Sequence, residues 1–203
     1  MYIIAATHNK NKLKEFAQIF GCSVYAASQL GAVSDPEETG STFQENAAIK
    51  ARAIRTELIE SGVPLPEGDF WVVADDSGLC VDALNGAPGI YSARYASTDG
   101  HNATDRDNVE KLLQEMKHID DEKRKGAFVC AVTAINREGR ELTATGCMAG
   151  RIAREPKGEN GFGYDPVLYI EELERTVAEM TPEEKNLRSH RGQALRKLTE
   201  MMR

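Results

Sequence analysis

Tyr2-Ile3-Ile4-Ala5-Ala6-Thr7-His8-Asn9-Lys10-Asn11-Lys12 opens the chain as a short apolar run that breaks into a polar turn. Beyond it Leu13, Phe16, Ala17 and Phe20 recur at helical spacing. Strand, polar turn, helix is the first unit of an α/β domain. A strand that ends in such a turn aims backbone N–H groups and the positive end of the following helix at one place. Thr7, Asn9 and Lys12 add a hydroxyl, an amide and an ammonium, which suit the oxygens of a polyphosphate. The same residues would also serve an ordinary polar turn.

The chain has 203 residues and a mass of 22.3 kDa, the size of one globular domain spanning residues 1–203, in one lobe or two. With 25 Lys and Arg against 32 Asp and Glu, the net charge is −7, which argues against coating nucleic acid or an anionic membrane. The charge is uneven. Lys10, Lys12 and Lys14 stand without an acid near one terminus, and Lys185, Arg188, Arg191, Arg196 and Lys197 do so near the other. Cys22, Cys80, Cys130 and Cys147 are widely spaced with no C-x-x-C pair, so reduced thiols in a cytoplasmic protein are expected. Tyr2–Ala6 is too short for a signal peptide, and no run approaches the ~20 apolar residues of a membrane span.

Further along, Phe43, Ala47, Ala51, Ile54 and Leu58 form a stripe behind the capping residues Ser41 and Thr42, predicting a helix of about four to five turns, with Lys50, Arg52 and Arg55 off the stripe. Phe70–Ala74 reads as a buried strand ending at Asp75-Asp76-Ser77-Gly78. Thr104 caps a predicted helix through Val109, Leu112, Leu113 and Met116. Ala127–Ile135 and Leu142–Ile152 read as a hairpin, and Thr181-Pro182-Glu183-Glu184 as a helix start, with Ser189 capping a last helix.

The signatures of P-loop, dinucleotide-binding, zinc-hydrolase and nucleophile-elbow enzymes are absent. Asp75 and Asp76, at the end of an apolar strand, would lie beside the crevice where α/β sheets bind ligands. Adjacent carboxylates repel unless protons or a cation compensate them, and Mg²⁺ commonly takes one or two carboxylates plus substrate phosphates. Gly161-Phe162-Gly163-Tyr164-Asp165-Pro166 offers close backbone approach and an aromatic face. Glu37-Glu38-Thr39-Gly40, Lys185 and His190-Arg191 gain weight only in company.

In this order the segments resemble the inosine triphosphate pyrophosphatases. The likeness is carried by Thr7–Lys12, Glu37–Gly40, Glu45-Asn46-Ala47, Ala74–Leu79, Gly86–Tyr95, Gly161–Pro166 and Ser189-His190-Arg191-Gly192. It implies an α/β, two-lobed fold around a long mixed β-sheet with flanking helices and an active-site cleft between the lobes, and a homodimer. It also implies Mg²⁺-dependent hydrolysis of ITP, dITP and XTP between the α- and β-phosphates, giving monophosphate and pyrophosphate. Carried over by position, Thr7, His8, Asn9, Lys10, Asn11 and Lys12 match the triphosphate loop. Asp76 matches the catalytic acid and metal ligand, with Glu38 as second metal carboxylate and Glu37 as its neighbouring alternative. Ser77, Phe162, Gly163, Tyr164, Asp165, Lys185, His190 and Arg191 match the nucleotide contacts. His8 stands where the family usually has Gly, and Ile59–Asp69 is longer than in many members. Two other readings compete: a pyrophosphatase for pyrimidine nucleotides, and a nucleotide-binding regulator without turnover.

Overall fold

A computed structural model describes residues 1–203. The opening strand β1 (Tyr2–Ala5) leads into α1 (Lys10–Phe20), and Asn9 caps that helix by accepting from the N–H groups of Asn11 and Lys12. β2 (Val24–Ala26) then returns parallel to β1. α2 (Phe43–Glu60) starts where the sequence predicts. Thr42 Oγ1 accepts from Glu45 N at 3.2 Å, while the Glu45 carboxylate accepts from Ser41 N at 2.7 Å, so the two capping partners divide the work.

The structure departs from the sequence expectation at the two aspartates. The strand does not end at Ala74: β3 runs from Phe70 to Val81, straight through Asp75 and Asp76. A carboxylate can stay inside a strand when cations and donors from other elements compensate it, and both have such partners, described below. α3 (Asp105–Glu115) is capped by Thr104, β4 (Lys125–Asn136) and β5 (Glu141–Ile152) form the hairpin, and the short strands β6 (Leu168–Ile170) and β7 (Arg175–Thr176) follow. α4 (Pro182–Arg188) has the full Thr181/Glu184 capping box, and α5 (His190–Met201) begins directly after Ser189.

The strands form one seven-stranded sheet in the order β2-β1-β3-β4-β5-β6-β7. β1 pairs parallel with β2 and β3, and β6 pairs antiparallel with β5 and β7, so the sheet is mixed and the fold is α/β. The chain divides into two compact units: Met1–Asp76 with Cys130–Gly146 and Arg191–Arg203, and Ser77–Val129 with Cys147–His190.

The first unit has two apolar layers, set by the alternation of strand side chains. Tyr2 and Ile4 of β1 and Phe70, Val72 and Ala74 of β3 pack with Ala51, Ile54 and Leu58 of α2. Ile3, Ala5, Trp71 and Val73 pack on the other face with Phe16 of α1 and Ala194, Leu195 and Leu198 of α5. Continuing this alternation sends Asp75 to the α1/α5 face and Asp76 to the α2 face. The second unit has one core, in which Leu79, Val109, Leu112, Met116, Ile152, Val167 and Met180 meet.

That core contains a charge. Arg124 is 1 % exposed, and its guanidinium donates to the carbonyls of Met116 (2.6 Å), Ile152 (2.7 Å) and Ala153 (2.9 Å). It thereby serves a carbonyl at the C-terminus of α3, where helical acceptors lack partners and cations are favoured. Arg124→Met is expected to lower the unfolding free energy by about 3 kcal/mol or more, because charge-assisted bonds are lost and buried acceptors are orphaned. Urea unfolding measures this, and a loss below ~1 kcal/mol would mean that those carbonyls find other donors.

Candidate active site

Asp75 and Asp76 are neighbours in β3 with opposite surroundings. Asp75 is 2 % exposed, and its Oδ2 lies 3.0 Å from Lys12 Nζ and 3.1 Å from Arg191 Nε. Burial alone would push its pKa up, but the charges of Lys12, Arg191 and Lys50 outweigh burial and hold it well below the ordinary carboxylate range. Arg191 places a second nitrogen 2.6 Å from Glu15 Oε2, so one buried guanidinium joins α5 to both β3 and α1. Burial would lower the Arg191 pKa; Asp75 and Glu15 reverse that and raise it. The buried Cys130 thiol lies against the same carboxylate, and burial together with the charge of Asp75 pushes it up to about 12.

Asp76 looks the other way, onto α2. Asn46 Nδ2 donates to Asp76 Oδ2 at 3.0 Å, and Lys50 Nζ stands 3.8 Å from Asp76 Oδ1. Asn46 and Lys50 are four residues apart, hence on one face of the helix. The same ammonium lies 2.9 Å from Glu38 Oε1. Here burial wins: the Asp76 pKa is raised despite Lys50, and the nearby charge of Glu38 raises it further. Asn46 also accepts from Gly40 N at 2.9 Å, which docks the Glu37–Gly40 segment on α2. Gly40 is required there, since a Cβ would fall 2.6 Å from Asn46 Oδ1. Glu38 is turned onto Lys50, whereas Glu37 is exposed.

Asp76 and Glu38 thus direct carboxylate oxygens to one positive charge. Two carboxylates around a shared cation position are a donor set that a hard divalent cation accepts, with substrate oxygens and water completing its shell. The pair therefore suits a hard divalent cation that takes one or two protein carboxylates.

In the polar turn, Thr7 Oγ1 accepts from Asn9 N at 3.1 Å, and His8, Asn9, Lys10 and Asn11 are exposed. His8 has no positive φ, so the backbone makes no demand for glycine at that position. Lys12 keeps 17 % of its side chain exposed while it pairs with Asp75.

The second unit holds another group. Asp165 Oδ2 accepts from Lys185 Nζ at 2.6 Å and from Phe162 N at 2.8 Å. Lys185 Nζ also lies 4.5 Å from the centre of the Phe162 ring. Gly161 has φ 82°, and a Cβ there would overlap the Asp165 carboxylate. Tyr164 OH donates to Ser92 O at 2.9 Å, and the His190 ring stacks on Phe128 with centroids 5.0 Å apart. Ser77 is half-buried.

Three residues of these clusters have no site role in the sequence reading, although Asn46 lies in a family motif and Lys50 beside the α2 stripe: Glu15, Asn46 and Lys50. Asn46 and Lys50 sit beside the apolar stripe of α2, and a polar pair four residues apart on a buried helix face was the available signal. Glu15 lies three residues after Lys12, one turn along α1.

The depressed Asp75 pKa has a consequence for stability. Its ordinary value is 3.8, so on acidification the unfolded chain takes up that proton first. The stability contributed by Asp75 is complete above about pH 4 and is lost as the pH falls toward the folded-state value. Unfolding free energy measured against pH is expected to fall more steeply below about pH 4 in the unaltered protein than in Asp75→Asn. Equal slopes would show that Asp75 is not held ionised.

The profile of the Ham1 family matches residues 3–201. The dITP/XTP pyrophosphatase of Clostridium perfringens is 45% identical over 203 residues, covering 98% of this chain and 96% of that one. The dITP/XTP pyrophosphatase of Bacillus subtilis is 44% identical, again over 98% and 96% of the two chains. Among solved structures, a HAM1 protein from Coxiella burnetii superposes with a TM-score of 0.84 at 39% identity, covering 100% of this chain and 98% of that one. The Staphylococcus aureus Ham1 protein does so with a TM-score of 0.83 at 39% identity and the same coverage. With a match over nearly its whole length in sequence and in fold, the chain belongs to the Ham1 family.

Proposed function

We propose that this chain hydrolyses non-standard purine nucleoside triphosphates, namely ITP, dITP and XTP, between the α- and β-phosphates, releasing the monophosphate and pyrophosphate. The observation that carries the chemistry is the division between the two aspartates. Asp75 is committed to Lys12 and Arg191, whereas Asp76 is a buried carboxylate with a raised pKa beside Glu38, Lys50 and Asn46. The relatives named dITP/XTP pyrophosphatase supply the substrate class.

Asp76 is assigned the base role. Its carboxylate, with Oδ2 fixed by Asn46, orients a water toward the α-phosphorus and takes its proton. A raised pKa makes a carboxylate a better proton acceptor near neutral pH. Lys12 has donors beyond the one facing Asp75 and, with Thr7 and Asn9, meets the phosphates. Charge developing on the leaving pyrophosphate is offset by the lysines, the usual electrostatic share of phosphoryl-group chemistry. Asp76 and Glu38 would hold Mg²⁺, which when bound supplies charge neutralisation and Lewis acidity at the phosphate oxygens.

Phe162–Asp165, Lys185, His190 and Arg191, with Ser77, are assigned to the nucleoside. A 6-oxo purine offers an acceptor where adenine offers an amino donor, so donors at the base edge favour the former and are left unpaired by the latter. The four cysteines are free thiols, in keeping with a cytoplasmic setting, and no helix is long and apolar enough to cross a membrane. A homodimer is the assembly that the family resemblance carries.

Asp76→Asn is expected to lose about 10²–10⁴-fold in turnover of ITP, read as pyrophosphate release, while its unfolding transition stays close to that of the unaltered protein. Selection by polar pairing reaches up to ~10⁴–10⁵ in kcat/KM for ITP over ATP. Near-normal turnover in Asp76→Asn would remove the residue from the mechanism. Equal kcat/KM for the two nucleotides would remove the base selection.

A further inference from the structure

The loop Gly161–Pro166 is held by carboxylates from two directions, and only one of them lies within the loop. Phe162 N donates to Asp165 Oδ2 at 2.8 Å, and the next amide, Gly163 N, donates to Asp105 Oδ2 at 2.7 Å. Asp105 is the first residue of α3, 58 positions away in sequence. The same turn of α3 is anchored in its own surroundings: Thr104 Oγ1 caps it, Asn108 Nδ2 donates to Ala93 O at 3.1 Å, and Asn108 Oδ1 accepts from Ala96 N at 2.8 Å. Tyr164 OH closes the circle by donating to Ser92 O. The start of α3 therefore fixes both the Ser92–Ala96 segment and the backbone that carries Phe162.

Gly163 has φ 62°, and Gly161, two residues before it, is also in the left-handed region. A chain with two glycines in three positions has many alternative paths when it is not tied. A charge-assisted bond to a backbone N–H is among the stronger local restraints. Phe162, between the glycines, is half-buried and presents its ring to the Lys185 ammonium.

We propose that Asp105 is a positioning residue for the nucleoside: its carboxylate, by holding Gly163 N–H, sets the Phe162 ring and the Asp165–Lys185 pair for the purine. This rests on the reading that the loop meets the nucleoside of the substrate. Asp105 is assigned to neither the phosphates nor the proton transfer, so its removal is expected to act on binding rather than on the chemical step.

The test compares Asp105→Leu, which lacks an acceptor, with Asp105→Asn, which keeps an amide oxygen in the same place. Both variants lose the negative charge at the start of α3, so the acceptor is the main difference between them. Asp105→Leu is expected to raise KM for ITP roughly ten-fold with kcat changed by less than about three-fold, the scale of one lost charge-assisted bond. Asp105→Asn is expected to recover most of that rise. Hydrogen exchange at the Gly163 amide, read by NMR without substrate, is expected to speed up in the Leu variant and not in the Asn variant. Unchanged KM in Asp105→Leu, an equal defect in both variants, or a fall in kcat at unchanged KM would overturn the proposal. An unaltered protein that released no pyrophosphate from ITP would instead overturn the functional reading beneath it, while the Gly163 exchange rates would still report the tether. A Leu variant that failed to fold, judged by circular dichroism, would make Asp105 a stability residue and overturn the positioning role.

Discussion

A carboxylate in the middle of a buried strand must be compensated, and much of this molecule is arranged around that requirement at Asp75. Lys12 comes from the first helix and Arg191 from the last, so one side chain gathers three parts of the chain that are remote in sequence. Buried ion pairs of this kind need not stabilise a fold relative to apolar packing, but removing one partner leaves the others uncompensated, at a cost of about 3–5 kcal/mol. The cluster is better understood as a specification. Arg191 can meet Asp75 and Glu15 together only when α5, α1 and β3 are in their proper register. The basic segments near the two ends of an acidic chain are in this way explained in part by a structural anion, in addition to any role toward phosphate.

The pleat of β3 carries this constraint to the neighbouring residue. Since successive residues point to opposite faces, committing Asp75 to one side places Asp76 on the other, against α2. There it meets an amide and one ammonium shared with Glu38, rather than two close cations. Two adjacent carboxylates thus have pKa values moved in opposite directions, which is what the proposed division between a structural anion and a base requires. Lys50 stands at the centre of this arrangement, keeping Glu38 and Asp76 directed to one point.

The sequence showed the elements more clearly than their junctions. Thr42, Thr104 and Thr181 mark helix starts because capping is local, decided by residues three positions apart. The apolar run Phe70–Ala74 was visible for the same reason. The continuation of β3 through Asp75 and Asp76 was not, because what permits it comes from far away: Arg191 lies 116 residues from Asp75, and Asn46 lies 30 from Asp76. Lys50 reads in sequence as a charged residue off an apolar stripe, and only the docking of α2 on β3 gives it two carboxylates. The ordered motifs named the family without this geometry. They single out Asp76 by position, but the physical difference between Asp75 and Asp76 depends on which face of the strand each one occupies.

The most direct measurement is a carboxyl ¹³C NMR titration of the folded protein, with the two resonances assigned through Asp75→Asn and Asp76→Asn. The expected result is that Asp76 titrates above the ordinary aspartate value of 3.8 and Asp75 below it. The reverse order, or two aspartates that both titrate at the ordinary value, would contradict the assignment of one carboxylate to the architecture and the other to the chemistry.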